Sequence, residues 1–241
     1  MKSTCTSFAR PALAARRIAF LVLLGAASTL HAEIVRGAID MRPGSRARAY
    51  FFSQAQLKTM FDLGSLQDRM LAIGNCEGEV LVKPQQLVIL DPVDLPDDRD
   101  EAIKGLWTVA YDLVRCNEAK RYNVVWRARS DGSAPEPLAH YPGTTLVSLQ
   151  LLRDAVVGAL AGVQAKAKAT DCTKLPTIFD MRVDEPPHRV EEDGKVFERV
   201  WLETWTFEVC GKRIDAHMTF TSTPGDGGTD WHTTYGDATS P

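Results

Sequence analysis

The chemistry-bearing residues of this 241-residue chain are a handful of histidines, five cysteines, of which all but Cys5 lie beyond residue 32, and two runs of carboxylates. Nucleophilic catalysis needs an imidazole base, held by an acid, next to a hydroxyl or thiol. Beyond the first thirty-two residues the imidazoles are His140, His188, His217 and His232. His140 and His232 fall on corresponding late strands of two similar halves, and His232 has Asp230 and Thr233 close by, so acid-base work would fall to this pair. His217 alternates outward on its strand and reads as a solvated residue. No G-x-S-x-G, H-E-x-x-H, P-loop or G-x-G-x-x-G is present. The segment PGDGGTD from Pro224 lacks the carboxylate spacing and distal Glu of a calcium loop and reads as a hairpin turn. No metal or cofactor is therefore expected. A hydrolase using His232 or His140 with a nearby carboxylate is the alternative to a non-catalytic protein.

The first thirty-two residues have the form of an export signal. Lys2, Arg10, Arg16 and Arg17 make a basic start, IAFLVLLGAA from Ile18 an apolar core, and Ala32 a small residue at a cleavage point. The expected location is the periplasm or the exterior, with no stable membrane insertion after cleavage. In that oxidising setting Cys76, Cys116, Cys172 and Cys210 predict two disulfides. The spacings are 40 and 38 residues, which pairs Cys76 with Cys116 and Cys172 with Cys210, one bridge in each half.

Twenty-eight bases against thirty-one acids give a net charge of −3. Removing residues 1–32, with four bases and no acid, leaves −7. That balance argues against nucleic acid as a partner. The acids concentrate in two places. DPVDLPDDRDE, from Asp91, holds six acids against one base, and DEPPHRVEEDGK, from Asp184, holds five against two. Both fall between the first and second strands of their halves. Asp94, Asp97, Asp98, Asp100 and Glu101, with Glu185, Glu191, Glu192 and Asp193, form the candidate binding surface, and its expected partner is another, basic protein.

The elements that must position these groups are written twice. WTVAYDLVRC from Trp107 and WLETWTFEVC from Trp201 each set a tryptophan nine residues before a cysteine. Pro43-Gly44-Ser45 matches Pro142-Gly143-Thr144, and Asp131-Gly132 matches Asp226-Gly227, in the same order. Each half predicts a helix, then a cysteine, then about four strands. In the first half the helical stripe is Leu57, Met60, Phe61, Leu66, Met70 and Ile73, interrupted by Gly64. In the second it is Leu146, Leu149, Leu152, Val156, Leu160 and Val163, capped at Thr144 or Thr145 and running to about Ala169. Pro84 marks the first strand as an edge or a bulge. Along the second strands Trp107, Val109, Tyr111 and Leu113, and then Trp201, Trp205, Phe207 and Val209, share a face turned to the helix, with Glu203 the misfit on it. Alternation puts Cys210 on the opposite face, so a bulge or the strand end must steer it. The predicted fold is α+β, a tandem repeat of two units, each a helix on an antiparallel sheet with one disulfide: 1–32 the signal, 33–135 the first unit, 136–241 the second.

W-T-x-x-x-C-G, standing here as WTFEVCG from Trp205 and followed by an alternating strand and a GDGGTD turn, resembles the ends of uncharacterised exported bacterial proteins. That resemblance implies no activity. The layout of two helix-plus-four-strand units with one disulfide each is similar to the β-lactamase inhibitory protein fold. The leading expectation is an extracytoplasmic interaction protein, inhibitor-like, immunity-like or ligand-binding.

Overall fold

The computed structural model describes residues 40–73, 78–167, 175–192, 195–222 and 228–239. Helices α1 (Arg46–Phe51) and α2 (Gln54–Met70) precede strands β1 (Val80–Asp94), β2 (Lys104–Arg115), β3 (Glu118–Arg127) and β4 (Glu136–His140). Helix α3 (Leu149–Ala167) then leads to β5 (Thr177–Glu192), β6 (Lys195–Val209), β7 (Lys212–Ser222) and β8 (Thr229–Tyr235). The strands form two four-stranded antiparallel sheets, ordered β1-β2-β3-β4 and β5-β6-β7-β8.

Each sheet buries one face under helix. Trp107, Val109, Tyr111, Tyr122 and Trp126 enclose one core with Phe51 of α1 and Met60 of α2. Trp201, Trp205, Phe207, Met218 and Phe220 enclose another with Leu152, Val156, Ala159 and Val163 of α3. The aromatics of both second strands are thus core, as alternation requires. Trp107 and Trp205 retain none of their surface. β1 is an edge strand and its register shifts between Pro84 and Gln86, so the proline sits where a missing N–H does least harm.

The hairpins β2–β3 and β6–β7 share one register. Trp107 lies opposite Trp126 and Trp201 opposite Phe220, each displaced by 94 residues; Arg115 faces Glu118 and Val209 faces Lys212 at the same displacement. It extends to the last strands, where Leu138 faces Val125 and His232 faces Thr219. Two-residue turns close both hairpins, Cys116-Asn117 and Cys210-Gly211, with all four residues at positive φ. Cys210 leaves the strand alternation because it belongs to the turn. Cys116 and Cys210 each stand at the first position of their turn. Cys76 and Cys172, expected as their partners, lie outside the described residues.

Three expectations need correction. The buried stripe of α2 is Gln56, Met60, Gly64 and Asp68, whereas Leu66 and Met70 are exposed and Ile73 follows the helix. Gly64 is the contact point rather than an interruption, since a Cβ there would come within 2.5 Å of Leu113 Cδ1. Helix α3 starts later than Thr144 or Thr145. Ser148 is its cap, its Oγ accepting from Leu151 N at 3.2 Å, because Thr145 is occupied elsewhere. The second acidic connection is strand through much of its length, with Val190 paired to Phe197 and Glu192 to Lys195.

The sheets meet at a narrow seam. Gly143 N donates to Arg121 O at 3.0 Å and Thr144 N to Met181 O at 2.6 Å, carrying the chain from the end of one sheet onto the first strand of the next. Phe179 takes Lys120 Nζ at 3.8 Å and the Arg213 guanidinium at 3.7 Å from its ring centroid, while Lys120 Nζ also donates to Phe179 O at 3.1 Å. Burial lowers the Lys120 pKa and raises that of neighbouring Asp180, and each charge partly offsets the other's shift.

Candidate functional site

The first acidic connection is tied to α1 by one side chain. Arg46 Nη1 donates to Leu95 O at 2.7 Å and to Asp97 Oδ1 at 3.2 Å, and its Nη2 donates to Pro96 O at 2.5 Å and to Arg99 O. At the far end Ala102 is fully buried and its N–H donates to Tyr50 Oη at 3.4 Å; burial pushes the Tyr50 hydroxyl up to about 12. Asp94 closes β1 opposite Lys104. Between these anchors Asp97, Asp98 and Asp100 are exposed and Glu101 is half-buried. A shallow depression lined by Arg46, Phe51, Val93, Leu95 and Asp97 lies beside them.

The second connection is a ribbon. β7 supports β6 as far as Val200, opposite Thr221, and the pairing of β5 with β6 continues past that point to Glu192 opposite Lys195. Glu185, Glu191 and Glu192 are exposed along it, and Arg189 stands 3.9 Å from Glu198. Asp193 lies outside the described residues. Among the described residues no hydrogen bond or ion pair joins the two acidic groups; each is presented by its own sheet.

His140 and His232 lie on the last strands of the two sheets, as expected. His140 packs on Tyr141, its carbonyl accepts from Gln67 Nε2 at 2.7 Å, and burial lowers its pKa. His232 stands exposed on β8 opposite Thr219. His188 Nδ1 lies 3.0 Å from Pro186 O. His217 is linked to a carboxylate through a hydroxyl. Its Nδ1 is 3.0 Å from Thr204 Oγ1, which donates to Asp184 Oδ2 at 2.5 Å, while Arg182 Nε donates to Asp184 Oδ1 at 2.8 Å. Because the Thr204 proton goes to the carboxylate, His217 Nδ1 is the donor to Oγ1. This order of groups does not suit nucleophilic catalysis. The acid orients the hydroxyl rather than the imidazole, and Thr204 is only 1 % exposed. The link crosses three strands, so it is visible only once the register is known.

Glu203, the misfit of the alternating pattern, is fully buried. Its Oε2 accepts from Thr145 Oγ1 at 2.6 Å and Trp205 Nε1 at 2.8 Å, and its Oε1 from Leu146 N at 2.8 Å and Trp201 Nε1 at 3.0 Å. A core carboxylate thus draws the approach to α3 onto the sheet with four donors. At the matching register of the first sheet stands Val109, and buried Trp107 Nε1 finds no acceptor among the described residues.

Among the described residues no group of three or more His, Cys, Asp or Glu is arranged to hold a metal, and no helix is long and apolar enough to cross a membrane. No protein-family model, curated protein or solved structure matches the chain.

Proposed function

We propose that this chain is an exported, non-catalytic recognition protein, a tandem repeat of two bridged α+β units that engages a basic protein partner through its acidic first-to-second-strand connections. The units are 33–135 and 136–241, following a cleaved signal at 1–32. The bridges are Cys76 to Cys116 and Cys172 to Cys210.

The observation that carries this reading is the grip of Arg46 on the first connection. Four acceptors from Leu95 to Arg99 converge on one guanidinium, so the loop is held in shape while Asp97, Asp98 and Asp100 face solvent. Holding a loop in its binding conformation lowers the ordering cost of association, and exposed like charges speed the encounter with a basic surface.

The partner is sought by affinity capture from the envelope fraction, and association is then timed with Asp97→Asn, Asp98→Asn, Asp100→Asn and Glu101→Gln combined. The on-rate is expected to fall and its salt dependence to flatten, since exposed charges are screened beyond about 8 to 10 Å at physiological ionic strength. An unchanged on-rate and salt slope would reduce the loops to solvated spacers.

A further inference from the structure

The two sheets have four outer edges, and three are blunted. β1 carries Pro84 and three register shifts. β5 carries Pro186, Pro187 and four register shifts. β4 is five residues long, contains Pro137, and has its His140 carbonyl taken by Gln67. β8 has none of these devices. Its seven residues, TDWHTTY, contain no proline and pair with β7 in unbroken register, and among the described residues no strand pairs with its outer side. A regular, unprotected edge is a template for another strand.

We propose that β8 pairs with β8 of a second copy of this chain, antiparallel about a two-fold axis at His232, joining two second sheets into one continuous eight-stranded sheet. Burial along β8 alternates, with Asp230, His232 and Thr234 exposed and Thr229, Trp231, Thr233 and Tyr235 half-buried towards the helix layer. A two-fold at His232 keeps that alternation, because residue pairs then share parity and so share a face. Asp230 meets the second copy's Thr234, Trp231 meets its Thr233, Thr229 meets its Tyr235, and His232 meets itself. No two carboxylates and no two cationic side chains of Lys or Arg are opposed. The exposed row carries a single carboxylate and no Lys or Arg, so it offers no charged track for a strongly basic or acidic strand and suits its own copy better. The helix layer agrees with this. Trp231 packs against Gly158 of α3 and Tyr235 against Gly162, which holds the half-buried face of β8 against the helix. Such an isologous contact closes on itself and does not propagate.

The test uses the mature chain in sedimentation velocity across a concentration series, with His232→Lys and His232→Glu made separately and then mixed. The wild type is expected to dimerise. Each variant alone is expected to sediment as a monomer, because like charges face each other at the axis, with the unfolding midpoint of wild type diluted to its monomer, since position 232 is exposed. An equimolar mixture is expected to recover the dimer through a Lys to Glu cross-strand pair. A wild type that stays monomeric at its highest soluble concentration overturns the proposal. So do variants that dimerise as well as wild type, and so does a mixture that fails to restore the dimer.

Discussion

At the scale of single residues, the two cores solve the same register with different chemistry. Glu203 satisfies two indole N–H groups in the second core, whereas with Val109 at the matching place Trp107 Nε1 has no acceptor among the described residues. Replacing Glu203 by Gln turns one acceptor oxygen into a donor facing donors, and an unsatisfied buried donor costs about 1 to 3 kcal/mol. Glu203→Gln is expected to lower the stability measured in urea by about that amount. Adding Trp201→Phe and Trp205→Phe to Glu203→Val should recover part of the corresponding loss, because the orphaned donors go too. If Glu203→Gln unfolds with the wild type, the clamp contributes nothing. The sequence showed Glu203 as an anomaly on an apolar face. It could not show why, because the partners at Thr145 and Leu146 are more than fifty residues away and only the packing of α3 brings them near.

At the scale of elements, legibility followed burial. β2, β3, β6 and β7 each present one face to a core, so alternation placed them and their inward residues. The outer half of the β5–β6 ribbon has no core beneath it, and with both faces solvated its sequence carries no period of two to read. The α2 stripe was only partly placed for the opposite reason: the helix approaches the sheet closely enough that Gly64 and Asp68 are buried beside Met60, while Leu66 and Met70 are left exposed. The turns account for where Cys116 and Cys210 stand, since a residue at positive φ in a two-residue turn holds its side chain at the sheet end. Non-reducing peptide mapping is expected to yield Cys76 joined to Cys116 and Cys172 joined to Cys210. Each closes a loop of about 40 residues and contributes about 4 kcal/mol on the chain-entropy account. A Cys76 to Cys172 peptide would break both the pairing and the proposed repeat. The acidic groups were readable as charge runs. The hold of Arg46 on the first of them was not, since it joins a six-residue helix to a loop about fifty residues away.

At the scale of the whole molecule, two separate cores are joined, among the described residues, through very little. The seam rests on Gly143, Thr144 and the cations around Phe179, and Gly143 is its tightest point. Its φ of +97° lies in the region that favours glycine, and a Cβ there would collide with the backbone N and O of Met181. Gly143→Ala therefore meets both backbone strain, of order 1 to 3 kcal/mol, and a contact that neither rigid strand relieves by a rotamer change. The damage should fall on the coupling between cores rather than on either core, because Trp107 and Trp205 with their helices lie in separate clusters. In calorimetry the wild type is expected to unfold in one cooperative transition. The variant is expected to unfold in two, with limited proteolysis newly cutting near residues 141–147, since a weakened seam lets each core open on its own account. If Gly143→Ala melts in a single transition at the wild-type midpoint, the two sheets are held together by something other than this seam.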